Sequence, residues 1–173
     1  MAEDLRASYA VRDVVARYGG TSLMNRVGHA FFKRRMRETN GIFGGEVTGH
    51  YYFRDNFYAD NGFIPALLIL ELMSKKGMSL RDLLKPLREK YFISGEINTK
   101  VASMDIAAKK IEELKKRYAD GKMHELDGLK VEYPTWWFNV RPSNTEPLLR
   151  LNVEAQNEAT MKKVRDKVLE IIG

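Results

Sequence analysis

The segment Arg141-Pro-Ser-Asn-Thr-Glu-Pro147 concentrates groups that hold an anion. Arg141 offers a planar fork of donors, Ser143 and Thr145 offer hydroxyls, and Asn144 offers an amide. Backbone N–H groups of such a loop add further donors. Arg150 falls at an outward position of the strand expected to follow, within reach of the same anion. Together these residues would make a phosphate cradle. Pro, Ser, Asn and Thr are also ordinary turn formers, and a polar hairpin turn accounts for them equally well. A second segment, Gly44-Gly-Glu-Val-Thr-Gly-His50, places Glu46, Thr48 and His50 two positions apart. In extended backbone that spacing points three polar groups one way. A carboxylate, a hydroxyl and an imidazole on one rim suit the vicinal hydroxyls of a sugar. The plainer account is a tight loop permitted by glycine, carrying incidental polar residues.

The elements that position these loops fall into two parts with different rhythms. Residues 1–90 read as an α/β layer. Ser8 caps a helix with Val11, Val14, Val15 and Tyr18 on one face, stopped by Gly19-Gly20. Thr21 to Met24 is extended, His29 to Glu38 is helical, and Asn40-Gly41 ends that helix. Gly41 to Val47 reads as a short buried strand and 48–61 as a loop. Asn61 opens a helix over Phe63–Lys75, apolar nearly all round and therefore expected to be buried. Ser79 with Asp82 resembles a capping box for one more helix, which Pro86 should kink or end.

Residues 91–173 read as α+β, a small four-stranded, mostly antiparallel sheet with two helices on one face. Strands are expected over Tyr91–Val101, on either side of Asp127-Gly128, and over Trp136–Arg141 and Leu148–Glu154. Ser103 and Asn157 cap the two helices. The last strand should alternate Leu149, Leu151 and Val153 inward with Arg150, Asn152 and Glu154 outward. Trp136, Trp137 and Phe138 read as a strand packed on the helices rather than a sugar-stacking platform.

The composition sets outer bounds. With 29 Lys and Arg against 23 Asp and Glu, the chain carries a net charge of +6, which suits an anionic partner. The clusters Lys33-Arg34-Arg35 and Lys115-Lys116-Arg117 fall on amphipathic helices as solvated faces. A nucleic-acid partner therefore rests on net charge alone and is not expected. The sequence has no cysteine, no signal-peptide pattern and no apolar run of membrane-spanning length, so a cytoplasmic location without a membrane partner is expected.

Taken together, the two loops resemble the paired signatures of the α-D-phosphohexomutases of the phosphomannomutase/phosphoglucomutase type. Gly45-Glu-Val-Thr-Gly-His50 is similar to that family's third-domain sugar loop, and Arg141-Pro-Ser-Asn-Thr-Glu-Pro147 to its fourth-domain phosphate loop. Asp4-Leu-Arg-Ala-Ser8 and Val27-Gly-His-Ala-Phe-Phe-Lys33 resemble flanking segments, so the likeness covers nearly the whole chain. The resemblance implies that Glu46 and Thr48 bind sugar hydroxyls, that Arg6 lines the pocket, and that His50 ends the sugar loop in a structural role. It implies that His29 is an auxiliary group near the reacting centre. It implies that Arg141, Ser143, Asn144, Thr145 and Arg150 hold the phosphate of a phosphorylated hexose.

The family reaction moves a phosphoryl group within a hexose phosphate. It requires a phosphoserine loop of the Thr-Ala-Ser-His-Asn type and an Asp-Gly-Asp-x-Asp-Arg-type loop for Mg²⁺, with a hexose 1,6-bisphosphate as activator. This sequence contains neither loop. No metal ligand set and no complete catalytic constellation is expected in this chain; the missing N-terminal domains of a mutase would supply them. The expectation is a C-terminal portion that binds but does not turn over alone. A stand-alone phosphosugar-binding or regulatory module is the alternative. The family's third domain has a strand-helix-strand portion before the position of Ser8, so an incomplete first sheet with an open edge, prone to self-association, is also expected.

Overall fold

A computed structural model of the chain describes residues 1–143 and 145–173. Asn144 lies outside the described residues, and its expected role in the phosphate loop with it. The chain forms two compact units, Met1–Glu89 and Lys90–Gly173.

In the first unit, β1 (Ala2–Asp4) runs parallel to β2 (Leu23–Asn25) on one side and to β3 (Phe43–Gly45) on the other. β4 (Tyr51–Phe53) closes the sheet antiparallel to β3, giving the order β2-β1-β3-β4. The residues just before Ser8 thus supply a strand, and a central one. Helix α1 (Tyr9–Arg17) crosses over between the parallel neighbours β1 and β2, and α2 (His29–Glu38) carries the chain from β2 past β1 to β3. Ser8 Oγ accepts from the Ala10 N–H at 3.0 Å and starts α1. α2 buries Phe32 and Met36 completely, and they pack with Ala2 and Tyr52. The spacing of 32 and 36 is one helical turn, so both fall on the face turned to the sheet.

α3 (Phe63–Lys76) forms where expected, with Asn61 Oδ1 accepting from the Phe63 and Ile64 N–H groups. It is not buried: Phe63 is 82%, Leu67 65% and Leu70 57% exposed. A helix apolar on every side carries no directional signal in its sequence, and here it packs on α4 (Leu80–Arg88) while presenting apolar surface outward. α4 opens on the Ser79–Asp82 capping box and ends two residues beyond Pro86.

The second unit holds an antiparallel sheet in the order β5-β10-β9-β8-β7, with β6 also on β10. The strands are β5 (Phe92–Ile93), β6 (Ile97–Lys100), β7 (Lys122–His124), β8 (Leu129–Glu132), β9 (Trp136–Pro142) and β10 (Leu148–Ala155). The sheet has six strands against the four-stranded sheet expected: of the five extended stretches read from the sequence, the run from Tyr91 to Val101 breaks in two at Ser94-Gly95-Glu96. Gly95 takes a left-handed φ of +71°, and both halves pair with β10. Ser94 bridges the break: its N–H donates to the Val153 carbonyl at 2.9 Å, and its Oγ accepts from the Val153 N–H at 3.0 Å.

Helices α5 (Met104–Arg117) and α6 (Glu158–Ile172) cover this sheet, capped by Ser103 and Asn157. Leu114, Val131, Phe138, Leu149, Leu151 and Val168 form the centre of the core. Glu154, which strand alternation sends outward, is buried and accepts a hydrogen bond from Trp137 Nε1 at 3.2 Å. Trp137 and Phe138 are buried as expected of a packed strand. Among the described residues no helix is long and apolar enough to cross a membrane.

Candidate functional site: a hydroxyl-recognition loop and an anion cradle

The first candidate site is built where β3 ends. Extended backbone stops at Gly45, and the Gly49 N–H donates to the Glu46 carbonyl at 3.0 Å, closing a turn. Glu46, Thr48 and His50 therefore do not share a strand face; the turn separates them. Glu46 is buried, and each of its oxygens has a donor. Oε2 accepts from the Gly28 N–H at 3.0 Å, at the N-terminus of α2, and Oε1 accepts from the Tyr52 hydroxyl at 2.6 Å. A carboxylate at a helix N-terminus is stabilised by the unpaired N–H groups and dipole there. Gly28 is at φ +122°, a conformation that leaves its N–H aimed at Glu46 and that side-chain-bearing residues rarely adopt. With about four lone pairs on a carboxylate, Glu46 keeps acceptor capacity for a ligand hydroxyl.

Thr48 is exposed at the tip of this turn. The His29 and His50 rings lie 4.0 Å apart, and His29 meets Tyr52 edge-on at 6.1 Å. His50 Nδ1 is 2.7 Å from Asp60 Oδ2, with His29 Nδ1 3.8 Å from the same oxygen. Burial raises the affinity of Asp60 for a proton, but the His50 hydrogen bond, the Tyr51 N–H and the histidine charges outweigh it and hold the carboxyl below its ordinary value. The Tyr52 phenol is pushed well above its ordinary value, first by burial and then by Glu46 and Asp60, so it stays a donor to Glu46.

Arg6 sits beneath the turn. It is buried, and its guanidinium forks onto Asp4, with Nε to Oδ1 at 3.0 Å and Nη2 to Oδ2 at 2.6 Å. Asp4 Oδ2 also accepts from the Val47 N–H at 3.3 Å, so the pair braces the turn from below. A concavity of about 240 Å³ opens beside the turn, lined by Glu3, Ser8, Phe43, Glu46, Val47 and Tyr51 among others.

The second candidate site sits at the β9–β10 end of the other sheet. Arg141 and Arg150 are directly paired across the two strands, so their guanidiniums leave the same end of the ladder. Ser143 is buried, its N–H donating to the Leu148 carbonyl at 2.9 Å. Its Oγ accepts from the Thr145 N–H at 3.4 Å and lies 3.3 Å from Thr145 Oγ1. Two guanidiniums and two hydroxyls thus converge on one hairpin end.

Sequence reasoning missed four partners: Asp4, Tyr52, Asp60 and Glu96. Glu96 is the most consequential, since its Oε1 accepts from Arg150 Nη1 at 2.8 Å and its Oε2 from Arg141 Nη2 at 3.3 Å. Burial favours its protonated form, but the Arg150 hydrogen bond and the Arg141 charge prevail and keep its pKa below the usual carboxylate range. Only the break after Ile93 brings it there, and local sequence gives no sign of that partner.

Among the described residues His29, His50 and Asp60 bring ligand atoms within 4.8 Å of one another. Two imidazoles and one carboxylate are a nitrogen-rich set, whereas Mg²⁺ takes oxygen ligands in an octahedral shell. This cluster does not fit Mg²⁺.

Residues 1–91 match the alpha/beta/alpha domain III of the phosphoglucomutase/phosphomannomutase family, and residues 96–171 match its C-terminal domain. The chain belongs to the phosphoglucomutase/phosphomannomutase family. It is 41% identical over 172 residues to a phosphomannomutase of Escherichia coli, covering 98% of this chain and 37% of that protein. A phosphomannomutase of Vibrio cholerae serotype O1 is 45% identical over 172 residues, with 97% and 36% covered. The crystal structure of a phosphoglucomutase/phosphomannomutase family protein from Burkholderia thailandensis superposes with a TM-score of 0.78 at 28% identity, covering 98% of this chain and 36% of that one. The chain thus spans little more than a third of the length of the curated relatives it matches.

Proposed function

We propose that this chain is the recognition portion of a phosphohexomutase, the enzyme type that interconverts hexose 1- and 6-phosphates by phosphoryl transfer. In this reading residues 1–90 recognise sugar hydroxyls through Glu46 and Thr48, with His29 and His50 beside them. Residues 91–173 hold the phosphate through Arg141, Ser143, Asn144, Thr145 and Arg150. The observation that carries the reading is the direct pairing of Arg141 with Arg150 at the hairpin end that holds Ser143 and Thr145. Paired guanidiniums with neighbouring hydroxyls match the charge and acceptor-rich geometry of a phosphate.

The serine and Mg²⁺ loops are not in the sequence, so phosphoryl transfer belongs to the N-terminal domains of a full-length mutase, as do Mg²⁺ and the hexose 1,6-bisphosphate activator. A phosphosugar-binding module without catalysis is the second reading. A cytoplasmic location and self-association through the edge strands β2 and β4 belong to the proposal as well. Calorimetric titration with mannose 1-phosphate, glucose 1-phosphate, free mannose and inorganic phosphate tests it. Weak saturable binding of the phosphosugars, lost in Arg141→Ala, is expected. Turnover of hexose phosphates by the pure chain, or binding indifferent to Arg141, would sink it.

A further inference from the structure

We propose that Glu96 is a tethered anion that occupies the arginine pair until a phosphate dianion displaces it. The inference rests on the reading that Arg141 to Thr145 and Arg150 bind phosphate.

The break in the sheet puts the carboxylate there. Gly95, at φ +71°, turns the chain between β5 and β6, and the pairing Ile97↔Leu151 and Asn98↔Arg150 sets Glu96 just beyond the register of the arginines. The carboxylate takes one N–H from each guanidinium, at 2.8 Å from Arg150 and 3.3 Å from Arg141. Neither arginine is gripped by the two parallel bonds of a fork, and the Nε atoms of both have no hydrogen-bond partner among the described residues. The Glu96 side chain is 27% exposed, Arg141 14% and Arg150 30%, so water and ligand reach the cluster. A single-donor pair of this exposure is worth far less than a buried bidentate one.

Charge decides what can displace it. Two guanidiniums carry two positive charges and Glu96 neutralises one. A monoanion that replaces Glu96 restores the same balance and gains little. A phosphate dianion neutralises both charges, and its several oxygens offer more acceptors than one carboxylate. A carboxylate left close by would repel the incoming ligand, so removing it favours binding whether it swings away or stays.

The competing role is that Glu96 positions the arginines, and the two roles predict opposite signs. The test is titration of wild type, Glu96→Gln, Glu96→Asp and Arg141→Ala with glucose 1-phosphate and with the monoanion dimethyl phosphate. Tryptophan fluorescence and circular dichroism show which variants are folded, and Glu96→Asp keeps the charge while shortening its reach. Glu96→Gln is expected to bind glucose 1-phosphate about tenfold more tightly, with Glu96→Asp in between. Equal or weaker binding by both folded Glu96 variants, with Arg141→Ala abolishing binding, overturns the proposal and leaves the phosphate reading standing. Undiminished binding by Arg141→Ala removes the phosphate reading and this inference with it.

Discussion

Gly128→Ala should be far more damaging than a glycine-to-alanine change usually is, for a reason that leads straight to Arg141. Gly128 closes the turn before β8 at φ +66°. A Cβ there would lie 2.4 Å from the Val140 carbonyl oxygen and 2.6 Å from the Arg141 Cα, both backbone atoms of β9. Left-handed backbone costs an ordinary residue about 1–2 kcal/mol. Relieving a contact most of an ångström too short by moving a central strand adds roughly 1–3 kcal/mol, the usual cost of overpacking. The sum is about 3 kcal/mol, a large share of the stability of a domain this small. Gly95→Ala is the control, because φ is +71° there but nothing lies within 4 Å of the added Cβ, leaving only the conformational cost. Both tryptophans of the chain, Trp136 and Trp137, are in the second unit, so their fluorescence during urea unfolding reports that unit alone. Gly128→Ala should lower the unfolding free energy by at least about twice as much as Gly95→Ala, and should weaken phosphate binding, since β9 carries Arg141. Equal losses in the two variants would refute the steric argument.

Two further outcomes test the first unit. Tyr52→Phe removes the donor to Glu46 Oε1 inside a buried cluster and should cost about 1–3 kcal/mol in urea unfolding followed by circular dichroism, where a loss below 0.5 kcal/mol would show that Glu46 finds another donor. Asp60 has a depressed pKa when folded, so its contribution is present above its ordinary value of 3.8 and is lost as pH falls through the depressed folded value. Asp60→Asn should therefore flatten the acid limb of the stability curve below about pH 4, and an unchanged limb would count against the His50–Asp60 pair.

The elements that local chemistry specifies were legible in the sequence. Ser8, Ser79, Ser103 and Asn157 each cap the helix they precede, because a short polar side chain before an amphipathic run has one favourable use. What was not legible depends on partners distant in sequence. The exposure of α3 cannot be read from a helix apolar on all sides, and the central place of β1 is set by two parallel neighbours about 20 and 40 residues away. Ser94 to Glu96 looked like a continuous strand because its break is stabilised by Val153, across the sheet.

The two glutamates show why one proposed recognition carboxylate is visible in sequence and the other is not. Glu46 belongs to a glycine-flanked turn, and it is held by Gly28 and Tyr52 in a buried cluster; its geometry is fixed before any ligand arrives. Reorganising it would expose or orphan buried donors, so it suits a constant recognition role. Glu96 lies on a half-exposed break with one donor from each arginine, and its interaction is weak enough to exchange. A motif captures the first kind of residue because the constraint is local. The second kind is defined by what it competes with, and that becomes visible only when β6, β9 and β10 are seen side by side.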